Sequence, residues 1–259
     1  MNSSNQTARQ PIALVTGGAR RIGRAIVLAL ADANYAVAIH AHHSATEAQT
    51  LCAEIKQRGG RAITVHADLA DHLSLEAMIA TASKELGALT LLVNNACEFE
   101  ANEFGTLDHK LWNRHFAVNL SAPIFLAEAF ARQAPAGADA SIVNILDQRV
   151  LKLTPQFFSY SLTKSALHTA TTMLAQALAP RIRVNAAAPG PTLESSRQDA
   201  ADFANQSAAV PLGHGPKPQE IADAVLYLAR ARSVTGETIA VDGGQHIAWQ
   251  TPDVLGIRE

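Results

Sequence analysis

The chain has 259 residues, a length routine for one α/β domain and long enough to bury roughly three-quarters of its unfolded surface. Lys plus Arg number 21 and Asp plus Glu 23, a formal charge of −2, which excludes a protein that coats nucleic acid through a basic face. Hydrophobic residues at 48% and charged residues at 17% exclude a disordered chain.

In chain order, Met1 to Gln10 is polar, lacks the apolar core of a secretory signal and reads as a disordered tail, with residues 11–259 forming one domain. Ile12 to Val15 reads as a strand, and Arg21 to Ala33 as a helix with Ile22, Ile26, Leu28 and Leu30 on its apolar face. A second strand, Ala36 to Ile39, leads to a helix over Ser44 to Arg58. Ser44 and Glu47 are spaced for a capping box, and Gly59-Gly60 provides the stop. Ile63 to Val65 is a strand, Leu75 to Leu86 a helix and Leu89 to Val93 a strand. Asp108 to Gln133 predicts one long helix bent at Pro123. Ser141 to Ile145 is a strand, Phe157 to Leu178 a long helix and Ile182 to Ala186 a strand. Gly190 to Gly215 carries a weak helical middle, Pro218 to Ala229 is a helix, and Ile239 to Val241 a last short strand. Strand-helix alternation of this kind predicts right-handed crossovers and a doubly wound parallel sheet of about seven strands, the Rossmann arrangement of the α/β class. No run of about 18 apolar residues appears, so no membrane span is expected. The two cysteines, Cys52 and Cys97, are expected to be free thiols in a reducing, cytoplasmic setting.

The turn after the first strand reads Thr16-Gly17-Gly18-Ala19-Arg20-Arg21-Ile22-Gly23. Glycines between a strand and a helix let the backbone approach a pyrophosphate, and the helix N-terminus supplies free N–H groups. Four further segments follow in order: Asn94-Asn95-Ala96, Asn119, Tyr160-Ser161-Leu162-Thr163-Lys164 and Pro189-Gly190-Pro191-Thr192. Val241-Asp242-Gly243-Gly244 closes the series. Together these segments resemble the short-chain dehydrogenase/reductase family over Ile12 to Gly244.

That resemblance implies a nicotinamide cofactor held by Gly17, Arg20, Arg21, Ile22, Gly23, Asn95, Ala96, Pro189, Gly190 and Thr192. Asp68 and Leu69 match the adenine-contacting pair. A member of the family that uses NAD usually ends the second strand with Asp or Glu, which bonds the ribose 2′-OH. Here that end reads His40-Ala41-His42-His43-Ser44, which favours the 2′-phosphate of NADPH, met by His42, His43 and Ser44. Pteridine reductases carry a similar segment with arginine where His43 stands, so the grip is expected to depend on pH. His40 and His42 would share one strand face, a possible pair of metal ligands, although no third ligand is evident and no metal is assigned.

Tyr160 and Lys164, four apart on a helix, share a face, and an ammonium near a phenol would lower the tyrosine pKa. The family makes Tyr160 the proton donor and Lys164 its partner on the nicotinamide ribose. Asn119 matches the asparagine that helps organise water and Lys164. The position 13 before Tyr160, serine in most members, is Asp147. A carboxylate is a poor donor to a ketone oxygen, yet it can help deliver a proton to a ring nitrogen. Pteridine reductases have an aspartate at this spacing, an arginine at Arg21 and a phenylalanine that stacks the pterin at Phe99. Cys97 stands where those enzymes often have serine. The resemblance therefore implies a pterin site of Arg21, Cys97, Phe99, Asp147 and Tyr160, and a homotetramer. Reduction of a carbonyl substrate, such as a 3-oxoacyl thioester or sugar ketone, and a non-catalytic NADPH sensor remain the alternatives. Leu193 to Gly215 is expected to form a mobile cover.

Overall fold

Seven strands form the centre of the molecule: β1 (Ile12–Val15), β2 (Ala36–Ala41), β3 (Ala62–His66), β4 (Leu91–Asn94), β5 (Ala140–Ile145), β6 (Ile182–Pro189) and β7 (Thr238–Val241). The helices, in chain order, are α1 (Arg21–Asp32), α2 (Ala45–Gln57), α3 (His72–Leu86), α4 (His109–Phe116), α5 (Ala122–Gln133), α6 (Phe158–Leu178), α7 (Ala200–Ala208) and α8 (Pro218–Arg230). This computed structural model describes residues 10–195, 197–251 and 255.

The strands run parallel in the order β3-β2-β1-β4-β5-β6-β7. Every residue of β1, β2, β4 and β5 is buried, the signature of a parallel sheet covered on both faces. On one face Ile26 and Leu30 of α1, Leu51 and Ile55 of α2, and Ile221 and Val225 of α8 pack into one apolar layer. On the other, Leu75 and Met78 of α3, Leu126 and Phe130 of α5, and Ala175 of α6 form its counterpart. The chain turns back on itself between β1 and β4, so a crevice opens beyond their carboxyl ends. That switch point is where open α/β sheets bind ligands.

The structure corrects several sequence expectations. The tail falls, for residues 1–9, outside the described residues. Gln10 is anchored instead, donating to Asn34 (3.3 Å) and accepting from Arg61 (3.1 Å). The capping box on α2 does not form, because the Ser44 side chain makes no cap bond and leaves the helix end open. Strand β4 begins at Leu91 rather than Leu89, since the Gln133 side chain takes both backbone groups of Leu89 (2.9 and 3.1 Å). Strand β6 continues to Pro189, three residues beyond the expected end, because β7 pairs with it through Pro189↔Val241.

The single long helix is in fact two. Asp108 caps α4 by accepting from Leu111 N (2.7 Å), and a π-helical turn over Ala117–Ser121 separates α4 from α5. Pro123 lacks an N–H and its ring would press on the carbonyl four residues back, so a wider turn ahead of it relieves the conflict. Pro123 then sits in the first turn of α5. The π turn brings Asn119 into the interior, 1% exposed.

Candidate active site

The crevice encloses about 860 Å³ and runs from Gly17 and His42 to Phe99, Asp147 and Arg197. Its floor is the glycine turn. Asn95 braces that turn, its Nδ2 donating to Thr16 O (2.9 Å) and Gly17 O (3.0 Å). The Thr16 hydroxyl accepts from the N–H groups of Asn95 (2.9 Å) and Ala96 (3.0 Å). Gly17 has φ +60°, and a Cβ there would lie 2.9 Å from Ala96 Cα. A Cβ on Gly23 would lie 2.1 Å from Gly17 O, so only glycine lets α1 start so close to the loop after β4. Arg21 also has positive φ, +53°, a left-handed backbone that favours glycine. Its guanidinium extends along the crevice to donate to Leu193 O (3.3 Å). Arg20, in extended conformation at the cap of α1, lies 3.8 Å from Glu47 on the surface. Ile22 lines the crevice beside it.

His40 was considered above as a possible metal ligand, and the structure gives it another task. Gly17 N donates to its Nδ1 (3.1 Å), which leaves Nε2–H to donate to Ala67 O (3.2 Å). Both ring nitrogens are thus used by the backbone of a neutral imidazole, and burial pushes its pKa down to about 4.

The N-termini of α1 and α2 both open on the crevice. Neither Arg20 nor Ser44 caps its helix with a side chain, and the first turn of α1 carries no acid. Free N–H groups and an uncompensated dipole make such ends anion sites. His42, His43 and Ser44 line the same end, the two rings 3.6 Å apart. Desolvation lowers the His42 pKa, against the opposing pull of Asp68. Asp68 is itself neutralised, both oxygens accepting from Arg114 (2.9 Å each), and Leu69 beside it is buried. The donors fit a dinucleotide bearing a 2′-phosphate, because the end of β2 offers histidines, a hydroxyl and a free helix end without a carboxylate of its own. Farther along, Gly190 lies against Asp242, where a Cβ would come within 2.7 Å of its Cα. Pro189 and Thr192 flank it, and the Thr192 hydroxyl donates back to Gly190 O (3.0 Å).

Tyr160, Asp147 and Lys164 come together where α6 crosses the end of β5. Tyr160, 4% exposed, donates its hydroxyl to Asp147 Oδ2 (2.8 Å). Asp147 is the extended cap of a short 3₁₀ turn, Gln148–Val150. Lys164, 2% exposed, donates to Ile145 O (2.7 Å), its Nζ 5.9 Å from the Tyr160 ring centre. The expectation of a lowered tyrosine pKa is not met: burial, reinforced by the Asp147 charge, raises it well above the ordinary value. Tyr160 is therefore held as a phenol, a donor. Among the described residues, Asn119 makes no hydrogen bond to Lys164. It brackets the backbone of Glu98 instead, accepting from its N–H (2.8 Å) and donating to its C=O (2.9 Å). Cys97 opens to the crevice, and desolvation within it raises the thiol pKa, so it stays protonated.

Phe99 contributes to an aromatic wall that the sequence did not reveal. Its ring stacks on Phe157 at 4.6 Å and meets Tyr160 edge-on at 4.7 Å. Phe157 reaches it from a left-handed backbone, φ 55°. Two arginines pack on this wall: Arg149 lies 5.2 Å from the Phe157 centre and Arg197 4.9 Å from that of Phe99. Arg197 also donates to Glu100 (2.7 Å) and Phe99 O (2.8 Å), which gives a contact to the segment that sequence left without roles. Ser196 lies outside the described residues. Gln148, 7% exposed, lines the crevice, and its buried Oε1 has no hydrogen-bond partner among the described residues. The only advance signals for Phe157, Gln148 and Arg149 were their places close to Tyr160 and Asp147 in the chain.

The sequence matches, over residues 17–246, the profile of a family described as enoyl-(acyl carrier protein) reductase. A crystal structure of FolM alternative dihydrofolate reductase 1 from Brucella suis, in complex with NADP, superposes with a TM-score of 0.92 at 51% identity, covering 95% of this chain and 99% of that one. A short-chain dehydrogenase/reductase from Serratia marcescens superposes with a TM-score of 0.86 at 33% identity, covering 91% and 98%. L-Rhamnose 1-dehydrogenase from Sphingomonas is 34% identical over 92% of this chain and 96% of its own. The glycine turn, the Tyr160–Lys164 pair and these matches along nearly the whole length make the chain a member of the short-chain dehydrogenase/reductase family.

Proposed function

We propose that the protein is an NADPH-dependent reductase of a pterin, either a dihydropterin or dihydrofolate, acting as a cytoplasmic homotetramer. The observation that carries the reading is the Tyr160–Asp147 hydrogen bond of 2.8 Å, at a position where carbonyl reductases of the family have serine. Asp147 only accepts in this arrangement, so it cannot donate to a ketone oxygen, whereas the Tyr160–Asp147 pair can pass a proton to a basic ring nitrogen. The 51% identity to a FolM dihydrofolate reductase supports the same reading.

NADPH, when bound, supplies the hydride. Arg21, His42, His43, Ser44 and the open ends of α1 and α2 would hold its phosphates, and Asp68 and Leu69 its adenine. Lys164, Asn95, Ala96, Pro189, Gly190 and Thr192 would hold its nicotinamide half. Phe99 offers the pterin an apolar face, with Arg21 and Cys97 at the crevice edge. Asp147 holds the Tyr160 hydroxyl in place beforehand, and the transfer moves that one proton out of the bond to Asp147 and onto the ring nitrogen beside the reduced carbon, leaving the phenolate. Lys164, fixed by Ile145 O, places a positive charge near the phenolate that the transfer leaves.

The test is NADPH oxidation by the purified protein with dihydrobiopterin, dihydromonapterin and dihydrofolate, beside a panel of sugars, 3-oxoacyl thioesters and simple ketones. Turnover of pterins alone is expected. Turnover of carbonyls alone would replace this reading with that of a carbonyl reductase, and cofactor binding without turnover of either class with that of a sensor.

A further inference from the structure

We infer that Arg149 is a positioning residue for the proton transfer: it clamps Asp147 as a fixed anion under the Tyr160 hydroxyl. Two donor groups of one residue make three hydrogen bonds to this carboxylate. Oδ1 accepts from the Arg149 backbone N–H (2.8 Å) and from its Nη1 (3.1 Å), and Oδ2 accepts from the same Nη1 (2.8 Å). The one remaining bond in the set comes from Tyr160 to Oδ2. Every partner of Asp147 donates, so the arrangement has no place for a carboxyl proton. The ion pair is also sheltered, with side-chain exposures of 17% for Arg149 and 14% for Asp147, so solvent screens it less than a surface pair.

The guanidinium cannot swing away freely. It lies over Phe157 (5.2 Å) and Phe99 (5.8 Å), while its backbone is held in the 3₁₀ turn that Asp147 caps. Arg149 thus joins the proton-handling pair to the aromatic wall that would face the substrate ring. Other charged or titratable groups come to this place from three sides. Tyr160 and Lys164 belong to α6, Cys97 to the loop after β4, and Arg197 to the segment after β6, packed on the same rings. The 3₁₀ turn after β7 adds His246, which is bonded to Asp242 (2.7 Å). Among the described residues, Arg149 is the one cationic side chain bonded to Asp147.

This inference rests on the pterin reading, and its test keeps the two apart. The carboxyl carbons of ¹³C-aspartate-labelled protein are titrated by NMR in the ligand-free chain, with Asp147→Asn assigning the signal. The pH profile of kcat/KM is recorded in parallel with whichever substrate the native protein turns over. In Arg149→Met the loss of an adjacent positive charge is expected to displace the Asp147 carboxyl signal and to move the acid limb of the profile to higher pH. Arg149→Lys, which keeps the charge but not the fork, should fall between. NADPH affinity should stay near native, and the melting temperature should fall, because Arg149→Met leaves the sheltered Asp147 carboxylate without its cation. An undisplaced Asp147 signal in Arg149→Met, or a fall in kcat with an unmoved profile, would overturn the inference even if the native protein reduces pterins. Absence of pterin turnover by the native protein overturns the proposed function and leaves the NMR result standing.

Discussion

At Asp147 a single atom group decides between two chemistries. Serine would donate to a carbonyl oxygen, and this carboxylate accepts from Tyr160 instead. Asp147→Ser is therefore expected to lower kcat/KM for pterins by about 10²–10⁴-fold, the range of one proton-transfer group, while leaving NADPH binding unchanged. Steady-state kinetics beside a fluorescence titration of NADPH checks both halves, and native-like pterin turnover would remove Asp147 from the reaction. Gly23 sets a second limit at this scale. Its missing Cβ makes room for Gly17 O and for Asn95 Nδ2, which would stand 2.1 and 2.6 Å from a methyl group. Gly23→Ala should cost about 1–3 kcal/mol through overpacking, read as a lowered melting temperature, and weaken NADPH at least tenfold by spreading the turn. Asp147 and Gly23 were legible in the sequence because their spacing from Tyr160 and from the first strand is fixed by the chain. Arg197 was not, since it meets Phe99 across 98 residues, and nothing local to it signals that contact. His40 was read by its type as a possible ligand, whereas its role depends on two backbone atoms that only the folded sheet brings within reach.

Among the elements, the strands and most helices followed from apolar runs and glycine stops. Their ends shifted where side chains intervened, as Gln133 does at Leu89 and Asp71 does at the start of α3, accepting from Leu73 N (3.1 Å). The break between α4 and α5 was harder to see. Apolar periodicity runs through it, and a π turn adds one residue without a distinctive composition. That extra residue has a consequence. It points Asn119 inward, where both ends of its amide close on the Glu98 backbone and a weaker contact reaches Thr163 Oγ1 (3.4 Å). Glu98 in turn accepts from Arg114, whose other partner is Asp68 (2.9 Å). The loop between β4 and α4 is thus tied at one end to the segment below β3 and at the other to Phe99. Asn119→Ala would orphan the Glu98 N–H, a loss of about 1–3 kcal/mol. The loop carrying Phe99 should loosen, so KM for the pterin is expected to rise more than kcat falls. Urea melts and steady-state kinetics test this. A kcat loss with unchanged KM and stability would instead give Asn119 a direct part in proton transfer.

For the molecule as a whole, pH acts through its buried histidines. In the unfolded chain His40 titrates near 6.5, and in the fold burial holds it at about 4. Above pH 6.5 both states carry a neutral imidazole and nothing is lost. Between 6.5 and 4 the unfolded state binds a proton that the folded state refuses, so stability falls as pH falls. The span of these two values corresponds to roughly 3 kcal/mol at its completion, on the order of 1.4 kcal/mol per pH unit in the middle of the window. His115, with a pKa also lowered by burial, adds in the same direction. Asp68, whose pKa lies below the ordinary carboxylate value with both oxygens on Arg114, surrenders its contribution only in more acid solution, so the windows separate. Urea unfolding at pH 7, 6, 5 and 4.5 should therefore show a decline well before carboxylates protonate. His40→Asn keeps an acceptor in place of Nδ1 and has no titrating group, so it is expected to be less stable at pH 7 but to lose less on acidification. Because Gly17 N rests on this same imidazole, the glycine turn is the part of the fold that acid should loosen first. NADPH affinity in the native protein should then drop along with stability below about pH 5, in opposition to the tighter phosphate grip that protonation of His42 would bring. Parallel stability curves for the native protein and His40→Asn would show that the acid sensitivity lies elsewhere, and an NADPH affinity that rises monotonically to pH 4.5 would show that the turn holds without its histidine.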